Sequence, residues 1–155
     1  MIRLSVPGEL RYRDVAVRVV VGACRLAAHD GADVEDGFSD KVVSAFGEAF
    51  NNVVLHGYGA IPGACAGATR PPIELEIEVD ADAPGAGELV IRILDHGAPF
   101  DPEAHALPPE PLPERGMGLH IIRSFVDRLE YRSGPPNVLT LRKRFGARAE
   151  RGEAR

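Results

Sequence analysis

The sequence predicts an α+β fold, a two-layer sandwich with helices on one face of a mixed, mainly antiparallel sheet. Two stretches with helical apolar spacing come before most of the strands. A strictly alternating segment then meets a Pro-Gly reversal and a second apolar strand, the pattern of an antiparallel pair. A third helix and two more strands follow, so the elements are grouped instead of alternating as βαβ units.

Ile2, Leu4 and Val6 alternate with polar or small residues and predict a first strand ending at Pro7-Gly8. From Arg11 to Ala28, Val15, Val19, Ala23 and Ala27 recur every fourth residue beside Val20 and Leu26, giving an amphipathic helix. Ser39 or Asp40 is placed to cap a second helix, whose Val42, Val43, Phe46, Phe50, Val53 and Val54 share one face up to Gly57. The Gly, Ala and Pro of 59–72 predict a flexible connection. Ile73, Leu75, Ile77 and Val79 then face one way and Glu74, Glu76, Glu78 and Asp80 the other, as in a strand with one side on a core. Ala83-Pro84-Gly85 reverses the chain into a strand from Glu88 to Asp95. Prolines 108, 109, 111 and 113 exclude regular structure from the following loop. A helix from Gly118 to Arg128 leads into strands at Leu129–Arg132 and Val138–Phe145, joined by Ser133-Gly134-Pro135-Pro136. The charged segment 146–155 is expected to be a disordered tail to a single domain spanning 1–145.

Composition narrows the function. The 155 residues are 45% hydrophobic, enough for one core, and carry a formal charge of −5, so no broad cationic surface is set against a nucleic-acid backbone. Val15 to Ala28 is the longest apolar run, but Arg18 and Arg25 interrupt it, which predicts no membrane span. The start of the chain lacks a signal-peptide pattern, and a cytoplasmic location is expected. Cys24 and Cys65 are too few for a disulfide framework and have no metal-ligand spacing.

Three short motifs bear chemistry. Glu48, Asn52 and His56 recur at every fourth residue of the second helix, roughly 40° apart per step, and form a polar stripe opposite its apolar face. Glu48 is suited to take a proton from a hydroxyl, and Asn52 to offer an amide oxygen to Mg²⁺, which needs few protein ligands. Lys41 and Ser44 share that side, so the stripe alone also reads as a solvated face. Asp95-His96-Gly97 stands at a strand end, where the carboxylate can accept from an exocyclic amine such as that of adenine and Gly97 leaves room for a flat base. By itself it is also an ordinary turn. Arg115-Gly116-Met117-Gly118-Leu119 opens the third helix, where free N–H groups suit phosphate oxygens; alone it is also a plain loop-to-helix junction. It lacks the Lys-Ser/Thr of a Walker loop.

Taken together and in order, Glu48-x-x-x-Asn52, Asp95-x-Gly97 and Gly116-x-Gly118 resemble the N, G1 and G2 boxes of the GHKL ATPase superfamily. Within it, GEAFNNVVLHGYG, LDHGAPFDP and ERGMGLHIIRSFVDRLEY resemble the anti-sigma factor kinases of the RsbW and SpoIIAB type over residues 1 to 145. The resemblance implies a Bergerat-type ATP fold. It assigns Glu48 as catalytic base, Asn52 as Mg²⁺ ligand and Asp95 as the adenine-recognition carboxylate. Gly97, Gly116, Met117, Gly118 and Leu119 would let backbone approach the nucleotide, and Arg115 would bring a positive lid side chain near the phosphates. The implied ligands are ATP or ADP and Mg²⁺. The implied partners are a sigma factor and a STAS-type anti-anti-sigma protein phosphorylated on serine, with homodimerisation also implied. The competing reading is a non-catalytic nucleotide-binding module that holds a sigma factor or other regulator. A phospho-accepting histidine on a preceding dimerisation helix pair, as a histidine kinase requires, is not found; His29, His56, His96, His105 and His120 are read as structural or exposed.

Overall fold

The computed structural model describes residues 1–29, 34–59, 70–83, 85–99 and 117–146. The proline-rich loop, most of the 59–72 connection, Cys65, and the tail beyond Gly146 lie outside the described residues. Strand β1 (Ile2–Pro7) leads through a short turn into α1 (Arg13–His29), then α2 (Phe38–Asn52), which continues as a π-helical turn over Val53–Tyr58. There follow β2 (Pro72–Ala83), β3 (Ala86–Asp95), α3 (Gly118–Phe125), β4 (Arg128–Arg132) and β5 (Asn137–Phe145).

The five strands form one sheet in the order β1-β2-β3-β5-β4. Every described pairing is antiparallel, so the expectation of a mixed sheet is corrected: no two neighbouring strands are parallel, and β3 and β4, which run the same way and are connected through α3, are separated by β5. The alternation of β2 sets the register. Ile73, Leu75 and Ile77 pair with Val6, Leu4 and Ile2 on one side, while Leu75 and Ile77 pair with Ile93 and Ile91 on the other. Leu139 and Leu141 of β5 continue this apolar row opposite Ile93 and Ile91. The helices cover it: Ala16, Val20, Ala23 and Ala27 of α1 and Val42, Ala45, Phe46, Ala49 and Phe50 of α2 are buried in the same cluster. Burial of these side chains removes apolar area from water, the dominant favourable term in folding.

Among the described residues no helix covers the opposite face of the sheet, which carries side-chain ion pairs. Arg3 pairs with Glu76 at 3.2 Å, Arg92 with Glu78 at 2.8 Å, and Arg142 with Glu88 at 2.7 Å and Glu130 at 3.4 Å. Val90, between Glu78 and Arg142 in the register, is buried on this face. Two of the acidic positions on the outer face of β2, Glu76 and Glu78, are thus partnered across strands.

Two helix boundaries differ from expectation. The second helix starts at Phe38 and is preceded by Gly37 at φ 77°, with no side-chain cap, so Ser39 and Asp40 fall inside its first turn. Glycine is suited to that left-handed position because it has no Cβ. The third helix ends at Phe125, not Arg128, because Asp127 is drawn into the sheet. Its N–H donates to Arg142 O at 2.9 Å, and its carboxylate accepts from Arg144 N at 2.7 Å and Lys143 Nζ at 3.3 Å. Among the described residues no helix is long and apolar enough to cross a membrane.

Cys24 is 3% exposed, and burial pushes its thiol from 9.0 up to about 11, against smaller opposing effects of its hydrogen bonds. The raised value means the contribution of this group to stability is intact below pH 9.0 and is lost as pH climbs towards about 11. Native Cys24 is expected to resist iodoacetamide at neutral pH and to alkylate fully in denaturant, read by peptide mass spectrometry. Substituting Phe46, fully buried in the core, by alanine is expected to cost about 3–5 kcal/mol in urea unfolding.

Candidate functional site

Asp95, the last residue of β3, is only 2% exposed although it is a carboxylate. Such burial is costly unless donors compensate. Here Oδ1 accepts from Gly97 N at 2.7 Å, closing a tight turn, and from Asn137 Nδ2 at 3.1 Å. Asn137 faces Asp95 in the β3–β5 register and is itself 3% exposed. The same Nδ2 donates to Gly97 O at 3.0 Å, and Asn137 Oδ1 accepts from Gly134 N at 3.2 Å. Both contacts to Asp95 fall on one oxygen, so the carboxylate is fixed by one edge.

The π-helical turn after α2 meets this turn from the helical layer. Ala98 N donates to Gly57 O at 2.8 Å. A Cβ at Gly97 would stand 2.6 Å from the Gly57 carbonyl carbon and 2.8 Å from its Cα, closer than real side chains come. The close approach of the protein's own backbone therefore requires glycine at 97. Gly57 in turn lies near Asp95: a Cβ there would be 3.6 Å from Asp95 Oδ1.

On the other side, the start of α3 rests against α2. A Cβ at Gly118 would lie 3.1 Å from Glu48 Oε2 and 3.4 Å from both Asn52 Oδ1 and Nδ2. Glycine lets the helix start come this close without pressing on the carboxylate and the amide, which a side chain there would have to displace by a few tenths of an ångström. Met117 precedes the helix without a side-chain cap, so its first N–H groups have no capping oxygen from that residue. These donors carry the positive end of the helix dipole. Glu48 and Asn52 are half-buried on the side of α2 away from its core-facing Phe46 and Phe50.

The structure thus joins Glu48 and Asn52 to Gly118, and joins Asp95 to Gly97. Both groups meet one continuous helix, α2 with its π extension: Gly118 at Glu48 and Asn52, and Gly97 at Gly57. Met117 and Leu119 flank Gly118 and are half-buried, whereas Arg115 and Gly116 lie outside the described residues. His56, His96 and His120 are exposed. Sequence reasoning missed Asn137, Gly57 and Tyr58. The one signal for Asn137 was a polar residue opening the otherwise apolar run Val138-Leu139, beside a turn.

The family model for the Histidine kinase-like ATPase domain matches residues 9–143. The chain belongs to that family. Membership carries ATP binding with it, and the antiparallel sheet with helices on one face agrees with the superfamily fold. Among curated proteins, none matches the chain. In this ATPase domain the donor set fits Mg²⁺ chemistry: an amide oxygen and a carboxylate at one helix start, with glycine leaving the gap open.

Asn137→Leu is expected to lower unfolding stability by about 1–3 kcal/mol, because Asp95 Oδ1 and Gly97 O lose a buried donor. Chemical denaturation followed by circular dichroism checks this. A cost no larger than that of an exposed surface substitution would show that the amide does not hold the turn.

Proposed function

We propose that this ATPase domain is a protein-serine kinase that also acts as an anti-sigma factor, of the RsbW and SpoIIAB type. The observation that carries the reading is the seating of Gly118 against Glu48 Oε2 and Asn52, with Asp95 buried beside Gly57 of the π turn that continues the same helix. A nucleotide lying along that helix has its base at Asp95 and its phosphates at the α3 start.

In this reading Asp95 accepts from the exocyclic amine of adenine through the oxygen that Gly97 and Asn137 leave free. Backbone N–H groups at Met117, Gly118 and Leu119 orient phosphate oxygens, and the family resemblance assigns Arg115 and Gly116 to the same phosphates. Asn52 would hold Mg²⁺, which would supply positive charge to neutralise the phosphates. Glu48 takes the proton of a serine hydroxyl as its oxygen bonds to the γ-phosphorus and the bond to the β–γ bridging oxygen breaks, so that ADP leaves. Catalysis of this kind is mostly positioning and charge stabilisation. The serine belongs to a STAS-type anti-anti-sigma protein, and its phosphate carries roughly −1.5 to −2 charges, enough to break a docked interface and leave the kinase free to hold a sigma factor.

Glu48→Gln keeps shape and removes the base. Phosphoserine on a cognate STAS protein, read by mass spectrometry, is expected to vanish while ADP affinity is retained. Phosphorylation that survives the change would remove Glu48 from the chemistry. Absence of phosphoserine with the wild-type chain, despite ADP binding, would favour the non-catalytic regulatory module. Asp95→Ala is expected to weaken ADP binding by about 1.5–3 kcal/mol, the scale of a charge-assisted hydrogen bond, by calorimetry. Unchanged affinity would contradict the adenine assignment.

A further inference from the structure

Tyr58 is fully buried at the end of the π-helical turn. Its Oη donates to Pro72 O at 3.2 Å, at the start of β2, and accepts from His96 N at 3.2 Å, the first residue after Asp95. Its ring is seated by a glycine: a Cβ at Gly8, just past β1, would lie 2.7 Å from Tyr58 Cε2 and 3.1 Å from Pro71 O. Gly8 O also accepts from Arg70 Nη1 at 3.3 Å, closing the ends of β1 and β2 around the ring. Burial pushes the phenol above its ordinary range, and the charge of nearby Asp95 acts in the same direction, so the hydroxyl stays protonated and keeps its donor. Winding as a π-helix widens the turn after Asn52 and takes Gly57 and Tyr58 out of the α-helical phase of Glu48 and Asn52. Those two residues thereby meet β3 while the two site residues meet α3.

We propose that Tyr58 is a positioning residue that fixes the span between the Asp95–Gly97 turn and the Glu48–Asn52 pair, so that both ends of a bound nucleotide are engaged at once. The assignment rests on the nucleotide reading above. Ligands that touch both ends gain from the fixed geometry as any two-point attachment does, and ligands that touch one end do not. The hydroxyl, and not the ring, carries the role, because it alone bonds both Pro72 O and His96 N.

The test is Tyr58→Phe, which keeps the ring against Gly8. Calorimetry compares adenosine, which reaches only the Asp95 end, with ADP in the presence of Mg²⁺, which reaches both. Adenosine affinity is expected to stay within about twofold, while ADP with Mg²⁺ weakens about tenfold, the equivalent of one net hydrogen bond. Equal weakening of both ligands, or of neither, would overturn the positioning role and leave the nucleotide reading standing. Failure of the wild-type chain to bind either ligand would remove the nucleotide reading, and the strut with it. Amide hydrogen exchange on the wild-type protein gives an answer that does not depend on how the variant folds. Adenosine alone is expected to slow exchange across Val53–Tyr58 as well as at His96–Ala98. Slowing confined to His96–Ala98 would show that the π turn does not transmit occupancy and would overturn the proposal.

Discussion

The contact between the backbones of Gly57 and Gly97 is the constraint from which the rest of the site follows. One belongs to the helical layer and the other to the end of a central strand, and the Ala98 N to Gly57 O bond of 2.8 Å closes them with no room for a side chain at 97. A helix pressed this close to the strand end shields Asp95 from water. The carboxylate then has to be satisfied by the chain itself, which Gly97 and Asn137 do from one edge. The result is a buried acid held in a single orientation, the condition for selective recognition of a hydrogen-bond donor.

The sheet order explains why the two halves of the site come together. With β5 between β3 and β4, Asn137 is carried directly opposite Asp95. The chain entering β4 must first pass over the sheet as α3, and its first turn meets α2 at Glu48 and Asn52. Asp127 anchors the exit of α3 to β5, so the eight-residue helix is held at its far end while its start remains at the site. Neither carboxylate is placed by its neighbours in sequence alone; each depends on contacts between distant segments.

Much of this was legible in the sequence because it rests on periodicity. The alternation from Ile73 to Asp80 gave β2 and its core face, whereas the stripe read for α1 was only partly right: Val20, Ala23 and Ala27 are buried with Ala16, but Val15 and Leu26 are exposed. Glu48, Asn52, Asp95 and Gly118 were legible because their residue types at that order and spacing are uncommon outside one superfamily, and the family match over 9–143 supports that resemblance at the superfamily level. What sequence did not disclose depends on non-local geometry. A π-helical turn has no compositional mark, and the pairing of Asn137 with Asp95 required the β3–β5 register. The role of Gly97 could not be separated from that of any other turn glycine until Gly57 was seen against it. The cap of α2 was misplaced because the helix starts at Phe38, after Gly37 in a left-handed conformation, and takes Ser39 and Asp40 into its first turn.

The central claim is that Asp95 and Gly118, distant in the chain, border one nucleotide. The most direct measurement is an amide NMR titration of the labelled protein with ADP and Mg²⁺. The account predicts that the amides of Gly97, Ala98, Gly118 and Leu119 and the side-chain amide of Asn52 shift together along one saturation curve. Shifts at only one of the two groups, or two curves with separate midpoints, would contradict it.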